Sequence, residues 1–220
     1  MKLQLKDPWK KIGNTRLIRI SKNLYGKLET ENPTGSIKDR PVQYIVRQSL
    51  ERDEITKKTT LVEASSGNTG ISLSAIGASL GLPVKIVMPS NMSPERKKMM
   101  KLFGAEIIDA PPSDFRGAIQ IRNHLVESND NYWSPMQFEN NLNIECHYNE
   151  TSQELLRQLK TLGETRNFDA FISGAGTGGT IMGFKKRFKE DGLKTQACLV
   201  VPEESLDTHG SHGSVMEKTS

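Results

Sequence analysis

Residues 60–88 read TLVEASSGNTGISLSAIGASLGLPVKIVM. A short apolar run leads into a small polar loop, Ser65 to Gly70, and then into apolar residues at helical spacing that end at Gly81 and Pro83. A second apolar run starts at Val84. The pattern predicts a strand, a helix and a second strand, which is the βαβ unit of a parallel sheet.

The same alternation of short apolar and longer amphipathic runs continues on both sides of this unit. It predicts strands at Leu17 to Ile20, Leu24 to Glu29, Thr60 to Glu63, Val84 to Met88, Glu106 to Ile108, Ala170 to Ile172 and Cys198 to Val201. Ser93 is predicted to cap a further helix that has Pro94 at its first position. Residues 129–143 are predicted to be an irregular crossing between two lobes. The predicted fold class is α/β with mostly parallel sheets.

Composition limits the classes of function. The chain of 220 residues carries 30 basic and 26 acidic residues, and this near balance does not favour a nucleic-acid partner. The densest basic run, residues 185–189, is predicted to be the solvated face of a helix that buries Phe184 and Phe188. The two cysteines, Cys146 and Cys198, cannot form a disulfide framework, and neither has a metal-ligand spacing with the four histidines.

Targeting patterns point to the cytoplasm. Charge and proline interrupt the N-terminal segment before an apolar region of signal-peptide length can form. No window approaches the roughly 20 apolar residues of a membrane span. We therefore expect a cytoplasmic protein with no membrane partner.

A lysine follows a turn-forming motif near the N-terminus. Residues 32–40 read NPTGSIKDR, and Lys38 stands directly before an amphipathic segment. Most lysines at such a position are solvated side chains. A lysine that attacks an aldehyde needs a neutral amine, and the preceding turn is suited to hold Lys38 partly desolvated in a cleft. Lys38 is therefore a candidate nucleophile.

The loop from Ser65 to Gly70 has a structural and a functional interpretation. Glycine and asparagine favour a plain strand-to-helix turn. The loop also offers hydroxyls, an amide and backbone N–H groups at a helix N-terminus, with no charge of its own, which suits the carboxylate of an amino acid. In the functional interpretation, Asn68 donates a hydrogen bond to the ring oxygen of a cofactor.

A second glycine-rich loop, residues 174–180, reads GAGTGGT. Its G-x-G-x-x-G spacing, with Glu203 ending the next strand, matches a dinucleotide-binding turn. The same backbone can instead bind one phosphate, to which Thr177 and Thr180 add hydroxyls, and a plain turn is a third alternative. The single-phosphate interpretation alone uses Lys38 and both loops, because an amine, a carboxylate pocket and a phosphate cradle together can hold pyridoxal phosphate.

With these motifs the chain resembles the cysteine synthase and cystathionine beta-synthase family, the fold-type II pyridoxal-phosphate enzymes that are similar to the tryptophan synthase beta chain. The similarity runs from about Pro8 to Gly210. Besides the motifs above, it rests on Gly13-Asn14-Thr15, Met88-Pro89, Ser93-Pro94-Glu95-Arg96 and Gln137-Phe138. Thr69 after Asn68 matches cysteine synthases, since threonine dehydratases usually have histidine there.

The resemblance implies a role for each motif. Lys38 would form the Schiff base with pyridoxal 5'-phosphate, and Asn68 would contact the cofactor's 3-hydroxyl. The resemblance assigns the phosphate to Gly176, Thr177, Gly178, Gly179 and Thr180, and the substrate carboxylate to Ser65, Ser66, Gly67, Thr69 and Gln137. The implied reaction is a beta-replacement, in which sulfide displaces the leaving group of an activated serine such as O-acetylserine to make cysteine.

The resemblance also implies an architecture and partners. We expect two three-layer α/β/α lobes: residues 1–142, whose early strands at 15–30 pair with the other lobe, and residues 143–206, followed by a disordered tail at 207–220. The implied partners are a small amino-acid substrate, a second copy in a homodimer and the tail of a serine acetyltransferase.

The chain departs from the family pattern at several places. Arg16 replaces the usual proline, residues 139–141 replace a common Asn-Pro pair, and residues 151–153 replace a common Thr-Gly-Pro. Family members also continue past Gly210 by a stretch comparable to a small domain, which carries the serine that hydrogen-bonds the pyridine nitrogen. We therefore expect an incomplete second lobe with an uncovered sheet edge and an exposed apolar face.

Three other functions remain as alternatives. One is a catalytically impaired relative that still binds the cofactor, and another is a serine or threonine dehydratase-type lyase. The third is a nicotinamide-dependent oxidoreductase built on the loop at residues 174–180. The sequence leaves the leaving group and the nucleophile undecided.

Overall fold

The computed structural model describes residues 3–164, 168–174 and 176–201. The strands are β1 (Leu17–Ser21), β2 (Leu24–Lys27), β3 (Thr60–Ala64), β4 (Val84–Pro89), β5 (Glu106–Ala110), β6 (Tyr132–Trp133), β7 (Ala170–Gly174) and β8 (Gln196–Val200). The α-helices are α1 (Asp39–Glu51), α2 (Asn68–Leu80), α3 (Pro94–Leu102), α4 (Phe115–Ser128), α5 (Leu142–Cys146), α6 (Ser152–Thr161) and α7 (Gly179–Glu190). Short 3-10 helices span Trp9–Lys11 and Glu29–Glu31, and a π-helix, His147–Thr151, joins α5 to α6.

The chain forms two compact units. The first contains residues 3–12 and 30–136, and the second contains residues 13–29 and the described residues from 137 onward. The first compact unit ends at Met136, six residues before residue 142, which is the predicted end of the first lobe. The segment 13–29, with the predicted early strands, lies in the second unit.

The first unit is built on a four-stranded parallel sheet with strand order β5-β4-β3-β6. Successive side chains of β4 point to opposite faces, as the strand geometry requires. Ile86 and Met88 pack into a core that includes residues of α1 and α2, whereas Val87 packs with α4. Because helices cover both faces, β3 and β4 are almost entirely buried. This unit therefore has the expected three-layer α/β/α arrangement.

The predicted helix boundaries of the first unit are confirmed. Ser93 caps α3, since its hydroxyl oxygen accepts a hydrogen bond from the backbone N–H of Arg96 at 3.4 Å, and Pro94 occupies the first turn. α2 ends at Leu80, and Gly81, which follows it, has a left-handed backbone with φ of 68°. Both signals were readable in the sequence because they depend on local backbone chemistry.

The second unit combines a β1-β2 hairpin, a β7-β8 parallel pair and the helical elements from α5 to α7. Its core contains Phe184 and Phe188 of α7, each 2% exposed. Lys185, Lys186 and Lys189 of the basic run are exposed as predicted, whereas Arg187 is half-buried and donates to the Tyr148 carbonyl oxygen at 3.2 Å. Phe171 of β7 stacks on Phe184 with ring centroids 4.0 Å apart. Ile172 and Val200 are 62% and 54% exposed on the β7-β8 pair.

Two elements differ from the sequence predictions. β1 and β2 are antiparallel rather than part of a parallel series, because only Lys22 and Asn23 separate them and a parallel connection needs a much longer crossover. The segment predicted to be irregular, residues 129–143, contains β6, which pairs in parallel with β3. A strand of two residues is too short to leave a periodic signal.

The predicted tail at 207–220 and Glu203 lie outside the described residues. In the part of the chain that the structure describes, no helix has both the length and the apolar character needed to cross a membrane. The same described residues include no cluster of three or more histidine, cysteine, aspartate or glutamate side chains suited to hold a metal ion.

Candidate active site

A closed turn positions Lys38 at the start of α1. The backbone N–H of Gly35 donates to the Asn32 carbonyl at 2.8 Å, and the N–H of Lys38 donates to the Ser36 hydroxyl oxygen at 3.2 Å. The Asp39 carboxylate then accepts the backbone N–H of Thr34 at 2.7 Å. These bonds tie the turn to the first residue of the helix, so the backbone at Lys38 is held on both sides.

The amine of Lys38 lies in a partly desolvated environment. The residue is partly buried, and this burial lowers the pKa of the Lys38 amine from its ordinary value. Within the described residues, no carboxylate forms an ion pair with it. A lysine in this state has a larger neutral fraction near neutral pH than a solvated lysine, and the neutral amine is the form that acts as a nucleophile or base.

The loop after β3 forms the N-terminus of α2. Ser65 is 3% exposed, and its hydroxyl oxygen accepts backbone N–H groups from Gly67 at 3.2 Å and Gly70 at 2.9 Å. Asn68 is exposed, and Ser66 and Gly67 are half-buried, so these three residues present the accessible part of the loop. The positive end of a 13-residue helix dipole favours an anion here.

Arg96 of α3 contacts the loop from Ser65 to Gly70 through a hydrogen bond. The guanidinium of Arg96 donates to the Ser66 carbonyl oxygen at 3.1 Å. Its Nε lies 3.4 Å from the point where a Cβ at Gly67 would stand. In the sequence, Arg96 is recognisable only as part of a helix start, because its contact with the loop spans 30 positions of the chain.

A buried ion pair lies directly before the loop. Glu63, the residue before the last of β3, has 0% exposure and Arg122 of α4 has 1%. Arg122 Nη1 lies 3.3 Å from Glu63 Oε1 and donates to the Ser134 hydroxyl at 3.1 Å. Glu63 Oε1 also accepts the backbone N–H of Ala64 at 2.7 Å. The charged pair therefore ties the end of β3 to α4 and to the segment after β6.

The glycine-rich loop of the second unit connects β7 to α7, which begins at Gly179. Gly178 has a left-handed backbone with φ of 78°, a conformation that glycine adopts without strain. The Thr177 hydroxyl oxygen accepts the backbone N–H of Gly179 at 3.3 Å and the side-chain amide of Asn143 at 2.8 Å. The Thr180 hydroxyl lies 3.3 Å from Nε2 of His147. Both threonines are thus backed by buried polar side chains.

Two glycines let α5 and the π-helix approach α7 closely. A Cβ at Gly179 would lie 2.3 Å from Oδ1 of Asn143, and one at Gly183 would lie 2.7 Å from Cβ of His147. Gly179 and Gly183 are one helical turn apart on α7, and the residues they face, Asn143 and His147, are also one turn apart. Asn143 also donates to the backbone carbonyl of Gln137 at 2.9 Å, so the same amide contacts a second predicted site residue.

Within each unit the structure brings predicted residues together. In the first unit these are Ser65, Ser66, Gly67, Asn68 and Thr69, all on one turn, with Lys38 at the start of another helix. In the second unit they are Gln137 and the residues Gly176, Thr177, Gly178, Gly179 and Thr180. Contacts of Arg96, Asn143 and His147 with these loops were not predicted, because each of them joins residues 30 or more positions apart.

These features define an α/β enzyme of fold-type II: parallel strands that end in two glycine-bearing loops, each opening a helix, together with a lysine at a helix start. The chain belongs to the family described as pyridoxal-phosphate dependent enzymes, whose model matches residues 9–219. Enzymes of this family depend on pyridoxal phosphate, as the family description states.

Relatives with assigned activities are cysteine synthases and related enzymes. The chain is 41% identical over 208 residues to cysteine synthase B of Campylobacter jejuni, a match that covers 92% of this chain and 68% of the relative. It is 38% identical over 200 residues to a cysteine synthase of a Flavobacterium species, covering 87% of this chain and 63% of the relative. The chain thus spans about two thirds of these relatives' length.

Solved structures show the same relationship. A hydrogen sulfide-producing enzyme from Fusobacterium nucleatum is 43% identical with a TM-score of 0.75, covering 80% of this chain and 53% of that one. An O-acetylserine dependent cystathionine beta-synthase from Helicobacter pylori is 33% identical with a TM-score of 0.77, covering 88% and 64%. The fold assignment is thereby confirmed for the matched part.

Proposed function

We propose that the chain catalyses a pyridoxal-phosphate-dependent beta-replacement on an activated serine such as O-acetylserine, with sulfide as the nucleophile and cysteine as the product. The observation that carries this proposal is the state of Lys38. Its amine is partly desolvated and lacks an ion pair among the described residues, in a chain of the pyridoxal-phosphate family. The relatives named cysteine synthase support the choice of reaction.

The residues present fit this cofactor. Lys38 supplies an amine for the aldehyde, and the exposed Asn68 supplies an amide for the ring oxygen. The hydroxyls of Thr177 and Thr180, with the N-terminus of α7, suit a phosphate group. When bound, the cofactor acts as an electron sink for bonds at the substrate's α carbon.

The chain's own residues would bind the substrate and move protons. The N-terminus of α2, with Ser66, Gly67 and Thr69, would hold the substrate carboxylate, and Gln137 stays a predicted contact of that carboxylate. Lys38 Nζ would remove the proton at the α carbon and return it after sulfide has added. The overall reaction then balances, because O-acetylserine and hydrogen sulfide become cysteine and acetate. Ser65, whose hydroxyl already caps the loop, stays a predicted contact.

The remaining expectations belong to the same proposal. Family membership supports a single phosphate, rather than a dinucleotide, at the glycine-rich loop of the second unit. We propose a cytoplasmic homodimer that can bind the tail of a serine acetyltransferase, on the basis of the family resemblance. The amino-acid substrate is small, as it is for the related cysteine synthases.

A labelling experiment tests the role of Lys38. The protein incubated with pyridoxal phosphate should show a violet-range absorption band, and borohydride should fix a pyridoxyl group on Lys38, which peptide mass spectrometry can locate. Lys38→Ala should lose both signals. Lys189→Ala removes an exposed lysine from α7 and serves as the matched control. A label distributed over surface lysines, with none on Lys38, would refute the proposal.

A second assay tests the reaction itself. Cysteine formation from O-acetylserine and sulfide should depend on Lys38. If the protein binds the cofactor at Lys38 but converts no amino acid, the impaired-relative alternative is correct. Conversion of serine or threonine to a keto acid, without use of sulfide, would instead indicate a dehydratase-type lyase.

A further candidate function is the cleavage of cysteine with uptake of one water molecule, which gives hydrogen sulfide, pyruvate and ammonia. The 43% identity to a hydrogen sulfide-producing enzyme favours it as the second choice. Both reactions use the same groups of the chain, so substrate preference separates them. Lead-acetate detection of sulfide from cysteine, beside cysteine formation from O-acetylserine, measures that preference directly.

A further inference from the structure

Two buried side chains lie behind the threonine-bearing loop, and the proposed function does not use them. Asn143 of α5 is 3% exposed and His147 of the π-helix is 2% exposed. They stand four positions apart, so they lie on one face of the continuous helical run. Asn143 contacts Thr177, and His147 contacts Thr180.

The contacts of Asn143 determine the direction of its hydrogen bonds. Its nitrogen Nδ2 lies 2.9 Å from the Gln137 carbonyl oxygen, which can only accept, so this atom must be the amide nitrogen. The same nitrogen lies 2.8 Å from the Thr177 hydroxyl oxygen and therefore donates to it. The Gly179 backbone N–H donates to that oxygen as well, at 3.3 Å.

Thr177 then has one remaining hydrogen-bonding group. A hydroxyl oxygen has two acceptor lone pairs and one hydrogen. Asn143 and Gly179 occupy both lone pairs, so the hydrogen is left to point away from them toward an external acceptor. An oxygen of a phosphate group is such an acceptor.

His147 can act on Thr180 in the same way. Its Nδ1 lies 3.0 Å from the hydroxyl of Thr151, and its Nε2 lies 3.3 Å from the hydroxyl of Thr180. With the ring hydrogen on Nε2, His147 donates to Thr180 and accepts from Thr151, which frees the hydrogen of Thr180. With the hydrogen on Nδ1, Thr180 would have to donate inward. An anion at the loop therefore favours the Nε2–H tautomer.

We propose that Asn143 and His147 are positioning residues that direct the hydroxyl hydrogens of Thr177 and Thr180 toward the phosphate of the cofactor. The inference rests on the proposed function, since it requires a phosphate at this loop. Packing alone does not explain Asn143. Its Oδ1 is buried without a hydrogen-bond partner among the described residues, which opposes folding, whereas its nitrogen makes both useful contacts.

The test compares two ligands, pyridoxal phosphate and pyridoxal, which lacks the phosphate. Dissociation constants are measured by absorbance or fluorescence titration of the full chain. Asn143→Asp keeps the shape of the side chain but replaces the donor nitrogen with oxygen. It should weaken pyridoxal phosphate binding at least about tenfold, the loss expected for one hydrogen bond to a charged group, and should change pyridoxal binding by less than about twofold.

The matched control makes the same substitution two positions away. Asn141 is exposed at the start of α5 and makes no capping bond, so Asn141→Asp should leave both constants unchanged within about twofold. If Asn143→Asp and Asn141→Asp have equal dissociation constants for pyridoxal phosphate, the inference is overturned. It is also overturned if Asn143→Asp weakens the binding of pyridoxal phosphate and of pyridoxal equally, because an equal loss indicates a general distortion of the site. If the unmodified protein binds pyridoxal no more weakly than pyridoxal phosphate, the proposed function fails as well.

A second arm decides the case if Asn143→Asp does not fold. In His147→Gln the side-chain amide can still donate to Thr180, whereas His147→Leu cannot. The glutamine variant should retain pyridoxal phosphate binding within about threefold, and the leucine variant should lose about tenfold or more, with pyridoxal unchanged in both. Equal pyridoxal phosphate binding by the two His147 variants would overturn the inference.

Discussion

Arg122→Met should lower the free energy of unfolding by about 3 to 5 kcal/mol. The guanidinium is 1% exposed and lies 3.3 Å from the carboxylate of Glu63, which has no exposed surface. Methionine fills most of the same volume but removes the positive charge from beside a buried negative one. Volume-conserving apolar changes cost less than about 1.5 kcal/mol, so the uncompensated charge dominates the expected loss.

Urea titrations followed by circular dichroism measure this loss. Glu63→Gln alone removes the other charge, and the double variant removes both, so its loss should be about 1 to 3 kcal/mol smaller than the sum of the single losses. Lys85→Met provides a surface control, because Lys85 pairs with Glu106 at the protein exterior and the change should cost less than about 1 kcal/mol. Strictly additive losses in the double variant would refute the reasoning, since they would mean that the two charges do not interact.

Three further predictions concern stability. The pKa of Lys38 is lowered by burial, so the unfolded chain binds more protons between the folded-state pKa and 10.5, and stability rises with pH across that window. Lys38→Met should therefore be more stable than the cofactor-free protein at neutral pH, with a difference that closes toward pH 10.5; urea titrations that give a constant difference would contradict this. Gly183→Ala places a Cβ 2.7 Å from Cβ of His147 and should cost about 1 to 3 kcal/mol in thermal unfolding, whereas an unchanged Tm would show that the helices separate freely. Asp114→Ala removes the cap that accepts the Gly117 N–H at 2.7 Å and should cost about 1 kcal/mol by denaturant titration, so a neutral result would show that solvent replaces the cap.

Local patterns predicted most of the secondary structure of the first unit. The strands at Thr60–Ala64 and Val84–Pro89 and the cap at Ser93 follow from apolar runs and capping chemistry, which act within a few residues. The antiparallel hairpin of β1 and β2 was missed, although the two residues between the strands carried the signal. The pairing of Tyr132–Trp133 with β3 depends on a strand about 70 positions away in the chain. The residues next to Tyr132 therefore show no sequence pattern that predicts it.

The candidate site divides in the same way. Lys38 and the two glycine-rich loops could be predicted as site residues from the sequence, because a lysine after a turn and a glycine-rich loop before a helix are recognised from consecutive residues. The residues that support the loops could not. Arg96, Asn143 and His147 reach their partners at Ser66, Thr177 and Thr180 across 30 or more positions of the chain.

The amino-acid sequence by itself determined the fold class, the family and the residue types available for cofactor chemistry, because these depend on short-range periodicity and on motifs of consecutive residues. The tertiary structure alone decided which hydroxyls are free to donate, which lysine amine is desolvated and which charges are buried together. Those properties depend on the groups that surround an atom in space, and hydrogen-bond direction and desolvation are set only when distant segments pack against one another.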